Sequence, residues 1–180
     1  MAMLGHVALG LAVARAYQVR VPEAPLFQAG VLGVALAALP DLDLLGGRFG
    51  AQYGTDWGHR GFTHSLFAAC VVGVLVGLWS GRFGLPRALT ALFASLAMAS
   101  HGLADTLTDG VNGPALLWPF SSARFLAPVH PVLPAPLGFA FFGDAGMRAV
   151  VREVVLFWPL LLYALYPRTQ RSSELSTESD

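Results

Sequence analysis

The sequence predicts an all-α integral membrane protein, folded as an up-and-down bundle of four to five transmembrane helices. Three observations support this fold class. Of the 180 residues, 55% are hydrophobic and only 12% are charged, half of the roughly 25% charged residues found in soluble domains. The mean hydropathy is +0.60. Several apolar runs also approach the roughly 20 residues that a helix needs to cross the bilayer.

The predicted helices follow one another closely in the first part of the chain. The first is interpreted as a retained helix and not as a secretory signal, because it lacks a positive n-region and contains His6. The second stays apolar until Pro40. The helices are expected at about residues 3–17, 26–45, 64–80, 87–107 and 150–166.

The segment between the fourth and fifth helices, residues 109–147, is rich in proline. Each proline removes a helix hydrogen bond and clashes with the preceding turn, so a regular helix across the segment is excluded. Because the segment is still apolar, we expect it to lie along the membrane interface or to cap the bundle. All these elements form one domain, residues 1–167, and the polar tail, residues 168–180, is expected to be disordered.

Polar side chains that can bind metal lie at the predicted helix ends. If the first four helices alternate in direction, the start of the first, the end of the second, the start of the third and the end of the fourth share one membrane face. Ionisable residues inside apolar helices are costly and usually functional. Seven potential metal ligands are therefore expected to converge at that face: His6, Asp41, Asp43, His59, His64, His101 and Asp105.

The stretch PDLD, residues 40–43, places two carboxylates directly after a proline that ends or kinks the second helix. Side chains at i and i+2 do not share a helix face. Asp41 and Asp43 would therefore point apart, one toward a metal and the other toward a neighbouring side chain or a water. A solvated helix end made of turn-forming residues is the alternative.

The stretch HGLAD, residues 101–105, holds a histidine and a carboxylate at i and i+4. This spacing puts both side chains on one helix face, where they can bind one ion. A hydrogen bond between His101 and Asp105 that holds helices together is the alternative.

The stretch HRGFTH, residues 59–64, combines two histidines with Arg60 at the entrance of the third helix. Thr63 or Ser65 is suited to cap that helix. A helix N-terminus attracts anions, and an arginine offers a planar fork for phosphate or carboxylate. The stretch can supply metal ligands and an anion contact together. An interfacial turn with a snorkelling arginine is the alternative.

Histidine and carboxylate without thiolate suit a divalent metal, most often zinc, with manganese or iron as other options. A catalytic zinc has about three protein ligands, so seven candidates are enough for two ions, which can clamp a displacement at phosphorus. Asp43, or else Asp41, is predicted to take the proton of the attacking water. Arg60 is predicted to stabilise the charge that develops on the phosphoryl group.

The arginine distribution predicts which face carries the cluster, because short loops rich in arginine tend to lie in the cytoplasm. The face opposite the cluster has Arg15, Arg20, Arg82, Arg87, Arg168 and Arg171. The cluster face has Arg48, Arg60, Arg148 and Arg152. The cluster is therefore expected on the extracytoplasmic side.

His6, PDLD, HRGFTHS and HGLADTLTDG follow one another along the chain, and the block LLWPFSSARFLAPVHPVLPAPLG comes after them. This order resembles the YdjM-like family of membrane-bound metal-dependent hydrolases, over about residues 3–150. The resemblance implies an integral inner-membrane protein that hydrolyses a substrate with bound metal, and it implies the seven residues named above as the metal site. One departure is His130, where the family tends to have arginine.

The sequence therefore predicts a metal-dependent hydrolase at one membrane face, acting on a phosphoester of a lipid or lipid-linked molecule. The expected depth of the site near the interface, together with Arg60, favours that substrate. Two other functions remain open: metal binding or transport, and a structural or stress-response role in which metal holds the bundle together. A transporter would place its ligands near the midplane, and a structural site would lack an open position. The net charge of zero gives no sign of nucleic-acid binding.

Overall fold

The computed structural model describes residues 3–109, 112–136 and 138–166, apart from the side chains of residues 47–49. Within these residues the chain is helical, and the β pairing is limited to an isolated parallel bridge between Thr108 and Val132. The α-helices are α1 (Met3–Arg20), α2 (Leu26–Ala38), α3 (Leu66–Ser80), α4 (Arg87–Asp105) and α5 (Asp144–Leu165). The predicted disordered tail, 168–180, lies outside the described residues.

Helix α2 ends at Ala38, and the chain continues as a 3-10 helix over Leu39–Phe49. Pro40 explains the change, because its ring has no N–H to offer the carbonyl of Leu36 as an α-helix requires. The N–H of the residue before the proline binds that carbonyl instead. The predicted helix over 26–45 is thus an α-helix in its first part only.

The start of α3 is capped by a side chain. Ser65 has extended backbone angles (φ −80°, ψ 151°), and its Oγ accepts a hydrogen bond from the N–H of Ala68 at 3.0 Å. Of the two caps predicted, Thr63 and Ser65, the second is confirmed. A short 3-10 helix, Phe62–His64, precedes the cap and brings the histidine into the bundle just before α3 begins.

Glycines let the helices of each pair approach closely. A Cβ on Gly10 of α1 would lie 2.6 Å from the carbonyl oxygen of Gly33 of α2. On α3, Gly73 and Gly77 meet α4 around Ala91 in the same way. Such small residues are typical of helices packed inside a membrane, where close contact rather than exclusion of water holds them together. Helices α1 and α2, and likewise α3 and α4, therefore form tight pairs.

The interior of the bundle is apolar at one end and polar at the other. At the apolar end, Tyr17 stacks on Phe93 with 4.5 Å between ring centroids, and its hydroxyl shares a 2.7 Å hydrogen bond with Thr90. At the other end, where α1 begins and α4 ends, the buried side chains include His6 and His101. The polar end contains the candidate site.

Helix α5 begins at Asp144, earlier than the predicted start near residue 150. The last residues of the segment predicted as irregular, 109–147, therefore belong to α5. The sequence has no proline between Pro136 and Pro159, and a carboxylate in the first turn interacts favourably with the helix dipole. Both facts allow the helix to start where it does.

Two stretches of the described chain are long and apolar enough to cross a bilayer, Leu26–Gly46 and Leu66–Phe83. Over an 18-residue apolar part of each stretch, only 28% and 22% of the residues are buried inside the protein, so most of the apolar surface faces outward. The all-helical architecture is confirmed. The number of four to five spans stays a prediction, since only two helices meet these criteria in the part of the chain that the structure describes.

Candidate metal centre

Two imidazole rings meet at the centre of the polar end. The Nε2 atoms of His64 and His101 lie 3.1 Å apart, and both side chains are buried. The Nδ1 atom of His101 lies 2.6 Å from the carbonyl oxygen of Ala37, the second-last residue of α2. A carbonyl can only accept, so Nδ1 carries the proton and the lone pair of a neutral ring lies on Nε2.

The Asp43 carboxylate contacts the Nδ1 atoms of two histidines. Its Oδ2 lies 3.2 Å from Nδ1 of His64, and its Oδ1 lies 2.6 Å from Nδ1 of His59. The hydroxyl of Thr63 also donates to Oδ2, at 2.6 Å. Such an arrangement fixes the tautomer and direction of a metal-binding histidine, with Nε2 left to face the metal. Asp43 therefore has the geometry of an orienting carboxylate, the second of the two roles predicted for PDLD.

Asp41 faces the histidine pair directly. Its Oδ1 lies 3.3 Å from Nε2 of His101 and 3.8 Å from Nε2 of His64. The Asp41 side chain is 36% exposed, whereas the two histidine side chains are not exposed at all. The cluster is therefore open to its surroundings on the Asp41 side.

Asp105 and His6 complete the cluster from α4 and α1. Oδ2 of Asp105 lies 3.7 Å from Nε2 of His64 and 3.9 Å from Nε2 of His101. Nε2 of His6 lies 3.7 Å from Oδ1 of the same carboxylate. The ring of His6 stacks on the ring of His101, with 3.6 Å between centroids. Both members of the i, i+4 pair of HGLAD, His101 and Asp105, therefore lie next to His6 of the first helix.

The donor atoms fall into two groups of three, each with its ligand atoms within 4.8 Å of one another. One group is His6, His101 and Asp105, and the other is Asp41, His59 and His64. Zinc–ligand bonds of about 2.0–2.1 Å put tetrahedral ligands roughly 3.4 Å apart, comparable to the shortest contacts here. Two neutral lone pairs facing each other at 3.1 Å also favour a cation between them. The residues therefore fit one or two divalent ions.

The structure brings all seven predicted ligands to one end of the bundle. Six belong to the two groups of donors, and Asp43 stands behind them. Whether these residues bind metal stays a prediction.

Arg60 lies inside the site and is only 2% exposed. Its Nη2 lies 3.0 Å from Oδ2 of Asp105, and its Nη1 donates to the carbonyl of Asn112 at 3.0 Å. Its φ of 67° is in the left-handed region, which residues other than glycine rarely adopt. Such local strain is typical of functional sites, where surrounding contacts maintain it. The guanidinium predicted to contact a phosphoryl group is thus next to the metal ligands and paired with one of them.

The segment after α4 holds the Arg60 loop in place. Arg124 donates from Nη1 to the carbonyl of Arg60 at 2.6 Å and from Nη2 to the carbonyl of Gly54 at 2.7 Å. The N–H of Ala115 donates to the same Arg60 carbonyl at 2.9 Å. Sequence reasoning missed Arg124, because its partners are main-chain atoms more than 60 residues away. The prediction that this proline-rich segment caps the bundle agrees with these contacts.

Burial affects the protonation of the groups around the opening. It lowers the pKa of His64, which precedes the span Leu66–Phe83, so the neutral, metal-binding form of the imidazole is favoured at pH 7. Burial raises the pKa of Tyr53, whose ring packs against His59 with 5.2 Å between centroids. Tyr53 therefore keeps its hydroxyl proton at neutral pH.

Aromatic side chains next to the histidines of HRGFTH form a cluster of their own. Trp57, Phe62 and Trp118 contact one another with ring centroids 5.3 to 5.9 Å apart. Trp57 is 66% exposed. Exposed tryptophans of this kind are enriched where a membrane meets water, which agrees with a site close to the membrane surface.

Comparisons with known proteins identify the family of the chain. The family profile described as YdjM inner membrane protein matches residues 1–172. The chain belongs to the YdjM inner membrane protein family. One curated relative is the inner membrane protein YbcI of Escherichia coli (strain K12), which is 40% identical over 130 residues that cover 70% of this chain and 74% of the relative. No solved structure matches.

Membership of the YdjM family establishes the coarse features predicted from the motifs. The resemblance seen in the sequence is confirmed, and so is the inner membrane as the location of the family. The names of the family and of the relative mention neither a metal nor a reaction. The chemistry of the site therefore depends on its own geometry.

Proposed function

We propose that the protein is a multi-pass inner-membrane hydrolase that uses one or two divalent metal ions, with zinc as the first choice. The observation that carries the proposal is that the Nε2 atoms of His64 and His101 face each other. The Nδ1 atom of each ring contacts an oxygen, of Asp43 for His64 and of the Ala37 carbonyl for His101. Carboxylates on both sides complete the donor set. Histidines held in this way are characteristic of metal sites.

The two groups of donors would hold the metal, which supplies a Lewis acid and lowers the pKa of a water. Asp43 is engaged with two histidines and a threonine. Asp41 is 36% exposed and so can be reached by water. Of the two carboxylates predicted as the base, we therefore assign the proton of the attacking water to Asp41, as a second role beside that of metal donor, and the orienting role to Asp43.

Arg60 supports a phosphoester as the substrate class. A guanidinium at a metal site can bind the phosphoryl oxygens and stabilise the charge that develops during hydrolysis. The exposed Trp57 and the apolar outer surfaces of α2 and α3 support a substrate that lies at the membrane surface. A lipid or lipid-linked phosphoester satisfies both conditions.

The orientation that we propose has the site on the extracytoplasmic side. Arg60 is buried and paired with Asp105, so it contributes little as a free loop charge. The arginines at the opposite end include Arg20, Arg82 and Arg87, and the positive-inside rule assigns that end to the cytoplasm.

The test of the shared metal site is the metal content of the detergent-purified protein beside His64→Ala and Asp105→Ala. We expect bound zinc, or another divalent metal, in the wild type and its loss in both variants, because each removes a donor from the cluster. Unchanged metal content in both variants would refute the shared site. A panel of phosphatase and phospholipase substrates on the same samples then tests hydrolysis.

A structural metal is the second candidate, and the burial of the cluster favours it. His6, His64, His101 and Asp105 are each at most 2% exposed. Structural zinc sites are closed, whereas catalytic sites keep a position for water. The exposure of Asp41 makes us prefer the enzyme. Bound metal without turnover on the substrate panel would favour the structural role.

A further inference from the structure

Glu153 is a fully buried acidic residue in the middle of the last helix. It is 0% exposed, and it lies in the stretch VVREVVLF of α5. An ionisable residue buried in an apolar helix is costly and is retained where it has a function. None of the proposed chemical steps uses this carboxylate.

The Glu153 carboxylate binds the first turn of α1. Its Oε2 accepts a hydrogen bond from the N–H of Gly5 at 2.9 Å. The first N–H groups of a helix have no partner inside the helix, and a carboxylate at that end also interacts favourably with the helix dipole. Glu153 therefore fixes the position of the turn from which His6 extends.

His6 depends on that turn more than the other histidines of the cluster do. The Nδ1 of His101 is held by a carbonyl, and the Nδ1 atoms of His59 and His64 are held by Asp43. The Nδ1 of His6 is buried and has no hydrogen-bond partner among the described residues. Its ring is placed by stacking on His101 and by the backbone of α1.

We propose that Glu153 is a positioning residue for the metal centre: by binding the N–H of Gly5 it aims the His6 imidazole at the group formed with His101 and Asp105. This inference rests on the proposed function, since it assumes that His6 binds metal. It assigns a role in the site to α5, which contributes none of the seven predicted ligands.

The experiment is a double-mutant cycle of metal affinity on the full-length protein in detergent, with cobalt(II) as the probe. The variants are Glu153→Ala, Glu153→Gln, His6→Ala and the double variant His6→Ala with Glu153→Ala. Glu23→Ala is the matched control, because Glu23 is exposed and lies between α1 and α2 at the other end of the bundle. The visible absorption of bound cobalt reports the ligand set.

We expect Glu153→Ala to weaken cobalt binding by about 10-fold, the lower end of the loss seen when a direct partner of a metal ligand is removed, because Glu153 acts on His6 through the backbone of α1. The cobalt spectrum should also change. Glu153→Gln keeps an acceptor oxygen and should bind nearly as the wild type does. In the His6→Ala background, Glu153→Ala should cause no further loss. Glu23→Ala should leave affinity and spectrum unchanged.

Unchanged affinity in Glu153→Ala would overturn the inference, as would an equal further loss in the His6→Ala background, since Glu153 would then act without His6. If Glu153→Ala does not fold, Glu153→Asp decides: its carboxylate is one methylene shorter, and wild-type affinity in that variant would overturn the inference. Failure of the wild type to bind any divalent metal would instead refute the proposed function, and this inference with it.

Discussion

At the scale of single residues, the candidate site contains residues that would bind the proposed metal and a residue that would orient them. Asp41 and Asp43 are only two positions apart, yet one faces the histidine pair and the other contacts the Nδ1 atoms of His59 and His64. In a 3-10 helix three residues complete one turn, so side chains two positions apart point in different directions. The local conformation set by Pro40 thus gives the two carboxylates different roles.

The orienting role of Asp43 leads to a first prediction. Asp43→Asn should lower metal affinity by about 10–100-fold without abolishing binding, because the amide cannot hold the Nδ1 protons of both His59 and His64 as a carboxylate does. His64→Ala should abolish binding at the shared site. Affinities measured by competition with a chromogenic chelator distinguish the two outcomes.

Asp56→Asn is the matched control for Asp43→Asn. Asp56 lies in the same loop region, but its carboxylate contacts Ser122 and Arg124. We expect its replacement to leave metal affinity close to that of the wild type. Equal losses in the two variants would show that the loop charge matters and that the contacts of Asp43 with the histidines do not.

The residue scale also shows what the sequence could and could not reveal. The seven ligand candidates could be predicted because alternating helices bring their ends to one face, a consequence of connectivity alone. Arg124 and Glu153 could not, because each acts on a main-chain atom 64 or more residues away. Glu153 also follows Arg152, which makes the stretch look like an ordinary polar interruption of an apolar helix.

At the scale of helices, the site depends on how closely α1 approaches α2. His6 lies on α1, and Ala37, whose carbonyl holds His101, lies at the end of α2. The two helices touch at Gly10 and Gly33. A shift of one helix against the other would therefore move two parts of the cluster apart.

Gly10→Ala and Gly30→Ala test this approach. A Cβ on Gly10 would meet the Gly33 backbone at 2.6 Å, whereas a Cβ on Gly30 would meet only the Leu11 side chain at 3.5 Å. Overpacking costs about 1–3 kcal/mol, so Gly10→Ala should lower the melting temperature. Gly30→Ala should leave it unchanged or raise it, because alanine is favoured over glycine in a helix interior by roughly 0.5–1 kcal/mol.

Melting is followed by circular dichroism on both variants in the same detergent, with metal content measured in parallel. Gly10→Ala is also expected to bind metal less tightly. Equal stability of the two variants would contradict the close helix contact on which the site depends.

Helix boundaries show where prediction from sequence succeeds and where it does not. The cap at Ser65 could be predicted because it depends on local backbone chemistry. The start of α5 at Asp144 could not, because the preceding prolines favour irregular structure.

At the scale of the whole molecule, the two ends of the bundle should lie on opposite sides of the inner membrane. In a variant whose single cysteine is removed, Cys70→Ser, we predict that a cysteine at Gln52 reacts with a membrane-impermeant maleimide applied outside. A cysteine at Glu23 should react only after the membrane is permeabilised. Both positions are exposed, so a reversed pattern, or labelling of both from outside, would contradict the proposed orientation.

Metal binding should also stabilise the whole bundle, because the ligands come from different elements. A ligand that binds only the folded state stabilises it by about 2.7 kcal/mol at a free concentration 100 times its Kd. Treatment with a chelator should therefore lower the melting temperature of the wild type and leave that of His64→Ala unchanged. A wild type whose melting does not respond to chelator would contradict a metal shared between helices.

The spread of the cluster along the chain has a consequence for biogenesis. His6 leaves the ribosome first, yet the residues that it contacts, His101 and Asp105, are made about a hundred residues later, and Glu153, which fixes its turn, comes later still. The first helix is therefore made before the residues that surround its histidine exist. Completion of the centre becomes one of the last events of assembly, and metal loading would mark a finished chain.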